Sequence, residues 1–181
     1  VDIAGTIVGA VHRDALWPRT DDLKPGDVLL GMASDSPHTN GYSLIRLLLD
    51  RHGENPPDEL VEWLLTPHKS YLGDVDELRA LGVEPKALAH ITGGGLIENP
   101  PRMLPPHLAA RIDYQSLQAP AVFDWLAETG AVPEDEMRRT FNMGVGMLAA
   151  VAPEEADAIV SALNDAGETA WVAGDLAAAD A

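Results

Sequence analysis

A polar loop between two apolar stretches carries the residues best suited to chemistry. It follows the apolar run 28–33, precedes a helical pattern, and contains His38, Thr39 and Asn40 followed by Gly41. The first turn of a helix has unpaired backbone N–H groups and the positive end of the dipole, so an anion such as a phosphate could be held there. The structural alternative is that Thr39 or Asn40 only caps the helix while His38 lies in a surface turn. Taken alone, the loop favours the cap.

A second loop allows close approach of backbone to a ligand. It reads Thr92-Gly93-Gly94-Gly95 and lies between a predicted strand, Ala87 to Ile91, and a helical turn that can start at Leu96. Glycines remove the side chains and let backbone N–H groups reach an anion, and phosphate loops share this order of strand, loop and helix. The Gly-Lys-Ser/Thr ending and the dinucleotide-binding spacing are both missing, and many triple glycines are plain connectors. We predict that this loop forms a second wall of an anion site.

Phosphoryl transfer needs positioned hydrogen-bond donors and cations more than covalent chemistry by the protein. For His38 we therefore predict contact with substrate or phosphate first, and proton transfer, near its ordinary pKa of about 6.5, second. His90 shares a strand face with Thr92 and is interpreted as a core histidine, and the connector 66–71 as a capped loop. No metal-ligand set is predicted in the chain.

Composition excludes several classes of function. The 181 residues suffice for one domain with a core, being 46% hydrophobic, and the formal net charge of −17 disfavours nucleic acid as a partner. The absence of cysteine rules out disulfides and thiolate metal sites and suits the cytoplasm. No apolar run approaches the roughly 20 residues of a membrane span. Because the chain starts at Val1 inside an apparent strand, we expect an excised domain.

The hydrophobic periodicity predicts an α+β fold in which a mixed β-sheet is covered by helices. Strands are expected over Ile3 to Val11, Val28 to Ala33, Ala87 to Ile91, Leu108 to Asp113, Val145 to Val151 and Thr169 to Val172. Helices are expected over Gly41 to Arg51, Leu60 to Leu65, Val75 to Leu81, Pro120 to Gly130, Glu134 to Arg139 and Pro153 to Gly167. Breaks are expected at Asn55-Pro56-Pro57 and at Pro100-Pro101.

Four segments together resemble one known family, in order and with matching spacing over nearly the whole chain. That family is the C-terminal domain of phosphoribosylformylglycinamidine cyclo-ligase, the aminoimidazole ribonucleotide synthetase of purine biosynthesis. The segments are Gly26-Asp27-Val28-Leu29-Leu30-Gly31, His38-Thr39-Asn40-Gly41-Tyr42-Ser43-Leu44, His90-Ile91-Thr92-Gly93-Gly94-Gly95-Leu96-Ile97-Glu98-Asn99 and Phe141-Asn142-Met143-Gly144-Val145-Gly146-Met147.

The resemblance implies an ATP-dependent ring closure. The formyl oxygen of formylglycinamidine ribonucleotide is phosphorylated, an amidine nitrogen attacks that carbon, and aminoimidazole ribonucleotide, ADP and phosphate result. Members of the family are homodimers, and their N-terminal domain supplies the dimer interface and most contacts to ATP and Mg²⁺. Residues 1–181 then correspond to the C-terminal domain alone, and we expect this piece to be inactive without the other.

Two segments depart from the family pattern, and two other functions stay open. Asp35-Ser36-Pro37 stands where the family usually has a glycine, and Pro67-His68-Lys69-Ser70-Tyr71 replaces Pro-Thr-Arg-Ile-Tyr, so Lys69 offers a point charge in place of a bidentate arginine. One alternative is a related ATP-dependent enzyme, such as formylglycinamide ribonucleotide amidotransferase, selenophosphate synthetase or a hydrogenase-maturation protein. The other is an anion-binding module without catalysis.

Overall fold

The computed structural model describes residues 4–52 and 56–179, which contain five strands in one sheet. These strands are β1 (Val28–Ala33), β2 (Ala87–His90), β3 (Leu108–Ile112), β4 (Val145–Val151) and β5 (Ala170–Ala178). Their order across the sheet is β2-β4-β1-β5-β3, and each neighbouring pair is antiparallel. The first strand in the sequence is therefore the central strand of the sheet.

The predicted α+β class and the helical cover of the sheet are confirmed, but the sheet is antiparallel where a mixed one was predicted. The closing strand, helix and strand of the sequence suggest a parallel neighbour pair. β4 and β5 do run in the same direction, because both pair antiparallel with β1. Because β1 lies between them, β4 and β5 are not neighbours and form no parallel pair.

Seven helices surround the sheet in the described residues. They are α1 (Tyr42–His52), α2 (Asp58–Leu65), α3 (Leu72–Ala80), α4 (Gly95–Glu98), α5 (Ala121–Gly130), α6 (Glu134–Thr140) and α7 (Ala156–Asp165). Each corresponds to a helix or helical turn that the sequence predicts. No helix among residues 4–52 and 56–179 has the length and hydropathy needed to span a membrane.

The sheet is buried on both faces. Alternate side chains of β1 point to opposite sides, so Leu29 joins one apolar cluster with Leu148, and Leu30 joins another with Ile159 of α7. A third cluster lies among α1, α5 and α6 and is centred on Phe123 and neighbouring apolar side chains. Together these three clusters hold β1, α1 and the chain between them in place.

Several predicted boundaries are wrong. Ile3 lies outside the described residues, and residues 4–11, predicted as a strand, are exposed and pair with no strand of the described sheet. The β-branched residues of this segment favour a strand, but no strand within the described residues pairs with it. β5 extends beyond Val172 because its second half pairs with β3. The helix α5 ends at Gly130 as predicted, and the left-handed residue after it is Ala131. A 3-10 turn at Pro100–Met103 follows α4, at the predicted break Pro100-Pro101. In the predicted break at 55–57, Asn55 is outside the described residues.

Candidate functional site

A buried asparagine fixes the loop that joins β1 to α1. The amide oxygen of Asn142 accepts hydrogen bonds from the Ser34 hydroxyl and from the Gly144 N–H, both at 3.0 Å. Its amide nitrogen donates to the Ser36 carbonyl at 2.7 Å. Asn142 is 1% exposed, so these bonds are shielded from water. The loop therefore lies against the turn that leads into β4.

The turn at His38 and Thr39 is held by local hydrogen bonds. Both residues adopt left-handed backbone conformations, with φ of 51° and 60°, which non-glycine residues rarely adopt. The Thr39 hydroxyl and the Asn40 amide nitrogen each donate to the His38 carbonyl, at 2.6 and 2.7 Å. A helix cap would use the oxygens of these two side chains as acceptors, whereas in both of these bonds the side chain donates. Thr39 is exposed and Asn40 half-buried, so both remain accessible to a ligand.

The structure brings the two predicted loops together. A Cβ added at Gly93 would lie 3.3 Å from the Asn40 Oδ1 atom, so the glycine loop faces the loop after β1. Asn99 fixes the glycine loop, because its amide nitrogen donates to the carbonyls of Gly93 at 3.2 Å and Gly95 at 2.9 Å. The hydroxyl of Thr92 contacts the amide oxygen of Asn99 at 3.3 Å. The glycine loop therefore faces the loop after β1, as a second wall of the site requires, and its contact with an anion stays a prediction.

Two glycines of the predicted site have packing reasons of their own. A Cβ at Gly41 would lie 2.3 Å from the Phe141 ring, and Gly41 has a φ of +75°. At Gly95, which is buried, a Cβ would lie 2.0 Å from the Arg138 carbonyl oxygen. Gly93 is exposed and Gly94 half-buried. Of the glycine loop, Gly93 and Gly94 are therefore the residues that a ligand could reach.

His38 is completely buried and neutral at ordinary pH. Burial, followed by the neighbouring His68, His90 and Lys69, lowers the pKa of His38 to about 3. A group with that pKa carries no proton to give as an acid near neutral pH and is a weak base. The environment thus favours the predicted contact role over proton transfer. In the described part of the chain, Nδ1 of His38 has no hydrogen-bond partner.

Two further histidines approach His38, and sequence reasoning assigned neither of them to the site. The His68 ring, from the connector before α3, stacks on His38 with centroids 4.0 Å apart and an angle of 13° between the planes. His90, at the end of β2, is exposed and not a core residue, and its ring centroid lies 5.8 Å from that of His38. In the sequence, the alternation that places His90 on the same strand face as Thr92 is the signal that could have assigned His90 to the site.

The chain matches the family described as "AIR synthase related protein, C-terminal domain" over residues 24–181. It belongs to this family. The predicted resemblance is thereby confirmed, and with it the fold class expected of such a domain. The two loops and the histidine cluster described above all lie within the matched residues.

Three curated relatives share this AIR synthase related domain. The chain is 43% identical to the bifunctional purine biosynthetic protein ADE1 of Schizosaccharomyces pombe over 184 residues. It is 41% identical to PUR2,5 of Pichia angusta over 183 residues and 42% identical to ADE5,7 of Saccharomyces cerevisiae over 188 residues, both also described as bifunctional purine biosynthetic proteins. Each alignment covers 97% of this chain and 23% of the relative, so the chain spans less than a quarter of their length.

A solved structure, thiamine-monophosphate kinase from Stenotrophomonas maltophilia K279a, is also similar. The similarity covers 87% of this chain and 49% of that chain, with 16% sequence identity and a TM-score of 0.49. Family membership rests on the sequence comparisons alone.

A cleft of about 310 Å³ lies beside the glycine loop of the AIR synthase related domain, and the cationic side chain of Arg102 lines it. His90, Thr92, Asn99 and Arg102 provide its polar lining, and Arg102 is exposed. Guanidinium groups bind phosphate and carboxylate through paired hydrogen bonds. Sequence reasoning did not assign Arg102 to the site, because its separation from Thr92 along the chain hides their proximity. The cleft supplies the positive charge that the two loops lack.

Proposed function

We propose that this chain is the C-terminal domain of an ATP-dependent cyclo-ligase that closes formylglycinamidine ribonucleotide to aminoimidazole ribonucleotide. The observation that carries the proposal is the match to the AIR synthase related family over 24–181. The three relatives are named as bifunctional purine biosynthetic proteins, which supports that reaction over other ATP-dependent ones.

The two facing loops would hold the phosphorylated parts of the reactants. In this assignment the hydroxyl of Thr39 and the amide of Asn40 contact substrate or phosphate beside Gly41, while Thr92 and the backbone of Gly93 and Gly94 contact it from the other side. The buried Gly95 would shape this loop. His38, which is neutral and completely buried, would position the substrate through the loop that it anchors. α4 has only four residues, so backbone amides and the Arg102 charge, rather than a long helix dipole, would bind the anion.

ATP would supply the phosphoryl group that activates the formyl oxygen, and Mg²⁺ would accompany it. Mg²⁺ prefers oxygen ligands in octahedral geometry. In the described residues, the ligand-bearing side chains found close enough together to hold an ion are three histidines. We propose, as the resemblance to the cyclo-ligase family implies, that Mg²⁺ and most ATP contacts lie on an N-terminal partner domain, in a cytoplasmic homodimer.

An exposed apolar segment supports the partner domain. Residues 4–11 lie on the surface, and the side chains of Ile7 and Val8 are 98% and 89% exposed. Apolar side chains in such a segment gain free energy when a partner covers them, about 1.5–3 kcal/mol for each fully buried one. A domain joined to this segment is the simplest cover.

The energetics argue that the chain does not work alone. An anion at an exposed helix start gains about 0.3–1 kcal/mol, whereas micromolar binding requires about 8 kcal/mol. Arg102 and the glycine loop add to this, but a second domain must supply the remainder. We expect the isolated chain to fold, to bind phosphate weakly, and to show no cyclo-ligase turnover.

A chimeric enzyme tests the proposal. The matching segment of the Saccharomyces cerevisiae relative is replaced by this chain, and growth without added purine is measured in a strain that lacks the relative. We expect growth, with loss or strong reduction for Asn40→Ala, since its amide faces Gly93. Gln115→Ala, an amide in an exposed turn after β3, serves as the matched control and should grow normally. A folded chimera that does not support growth, or turnover by the isolated chain, would contradict the proposal.

A further inference from the structure

Three histidines from separate segments converge at one edge of the domain. His38 comes from the loop after β1, His68 from the connector before α3, and His90 from the end of β2. One ring nitrogen of each lies within 4.8 Å of those of the other two. His38 is buried, whereas His68 and His90 are exposed, so the cluster is open to solvent on one side.

The exposed pair already has a spacing suited to a shared ligand. Nε2 of His68 lies 3.0 Å from Nε2 of His90. Two imidazole nitrogens bound tetrahedrally to zinc at about 2.0–2.1 Å are about 3.3 Å apart. The His68 and His90 rings are at the surface and are able to turn, which His68 must do to leave its stack on His38. Only small side-chain movements therefore separate this pair from metal-binding geometry.

Hydrogen bonding leaves one nitrogen of His38 available. The Tyr71 hydroxyl donates its proton to the Ala33 carbonyl at 2.9 Å and lies 3.4 Å from Nε2 of His38. With that proton used, the tyrosine oxygen accepts from Nε2–H, which assigns the proton to Nε2 and leaves a lone pair on Nδ1. Nδ1 is buried and has no hydrogen-bond partner among the described residues. A neutral imidazole with such a lone pair is a metal ligand.

Carboxylates offset the positive charge beside the cluster, which by itself opposes a bound cation at His38. The nearest basic residue, Lys69, forms an ion pair with Glu168 and lies 3.8 Å from a carboxylate oxygen of the buried Asp74. Its positive charge is therefore balanced by two carboxylates. The chain as a whole has a formal net charge of −17, which attracts cations to its surface.

We propose that His38, His68 and His90 bind a divalent transition-metal ion that prefers imidazole ligands, with Zn²⁺ as the reference ion. Three imidazoles leave at least one coordination position for water or an anionic ligand. Mg²⁺, which prefers oxygen ligands, is excluded from this site by ligand chemistry. The site is distinct from the Mg²⁺ requirement of the proposed cyclo-ligase and does not depend on it.

Metal titration of the untagged protein tests the proposal. Zn²⁺ affinity is measured by competition with a chromogenic chelator in the absence of nucleotide, and Co²⁺ is used for its visible absorption. We expect a single bound ion, a Co²⁺ spectrum typical of nitrogen ligation, and no displacement by excess Mg²⁺. His68→Gln and His90→Gln should each weaken Zn²⁺ binding at least about tenfold, since even partners of metal ligands contribute that much.

His107→Gln provides the control, because His107 is exposed and lies outside the cluster. This variant should bind Zn²⁺ with unchanged affinity. Both cluster variants alter exposed side chains, so their folding is verified by their unfolding curves. Equal Zn²⁺ affinity in the parent and both cluster variants would overturn the proposal, as would equal weakening in His107→Gln. Growth of the chimeric enzyme is a separate readout, so failure of either proposal is distinguishable from failure of the other.

Discussion

Gly146 of β4 lies directly beneath the histidine cluster, and we predict that Gly146→Ala strongly destabilises the domain. An added Cβ would lie 1.6 Å from the Tyr71 hydroxyl oxygen and 2.4 Å from Cε1 of His38. Neither neighbour moves easily, because Tyr71 is hydrogen-bonded to the Ala33 carbonyl and His38 is completely buried. The methyl group must push at least one ring out of place.

The expected loss combines two contributions. Overpacking of a close-packed interior costs about 1–3 kcal/mol, and a displaced Tyr71 hydroxyl that loses its bond to Ala33 costs about 1 kcal/mol more. The lower backbone entropy of unfolded alanine returns about 0.5–1 kcal/mol. The net loss is about 1–3.5 kcal/mol in the free energy of unfolding. Urea denaturation followed by tryptophan fluorescence measures it as a fall in the midpoint of roughly 1 M, for a slope of about 2–3 kcal/mol/M.

A double-mutant cycle isolates the clash. In a Tyr71→Ala background the hydroxyl and ring are gone, so Gly146→Ala should cost much less than in the parent. Gly73→Ala is the matched control, because a Cβ there meets no atom within 4 Å and Gly73 lies in α3; it should be neutral or slightly stabilising. A loss below about 1 kcal/mol, within the range of ordinary substitutions, or additive effects in the cycle would refute the reasoning.

Two further predictions concern buried charges. Lys86→Met should lower the free energy of unfolding by about 3 kcal/mol, because the completely buried carboxylate of Asp27, which lies 2.6 Å from the Lys86 ammonium, would lose its partner. Urea denaturation measures this loss, and adding Asp27→Asn to the same protein should recover part of it. If the double variant recovers no stability, the prediction is wrong. Burial raises the pKa of Asp74, so the native carboxyl binds a proton more readily than the unfolded one, and the parent should gain stability relative to Asp74→Asn as the pH falls from neutrality towards the ordinary aspartate pKa of about 3.9. A stability difference that stays constant over this range in denaturation curves would show that the pKa of Asp74 is not raised.

Local sequence signals predicted most elements of this fold and both facing loops. β1, α1 and the glycine loop follow from hydrophobic period and turn residues, which act over short stretches. Residues 4–11 show the limit of such signals, because β-branched residues describe a suitable strand but not whether a partner strand exists. The same limit explains why a mixed sheet was wrongly predicted, because a strand, helix and strand in sequence do not reveal that β1 lies between the two strands.

The candidate site was predicted in part. Asn40 and Gly93 are close in the structure as the two-wall prediction requires, although their contact with a ligand stays a prediction. The proximity of His68 to His38 could not be predicted, because it depends on how the connector before α3 folds back over the loop after β1. Tertiary packing also set the pKa of His38, whose burial no local pattern indicates.

The central position of β1 determines when the domain can fold during synthesis. Both neighbours of β1 come from late in the chain, since β4 and β5 cover 145–151 and 170–178. Contacts between residues so distant in sequence make folding slow. During synthesis on the ribosome, β1 therefore remains unpaired until nearly the whole described domain has been made. The N-terminal partner domain proposed above, if it is synthesised first, would already be folded by then and would cover the apolar strand while its partners are still missing.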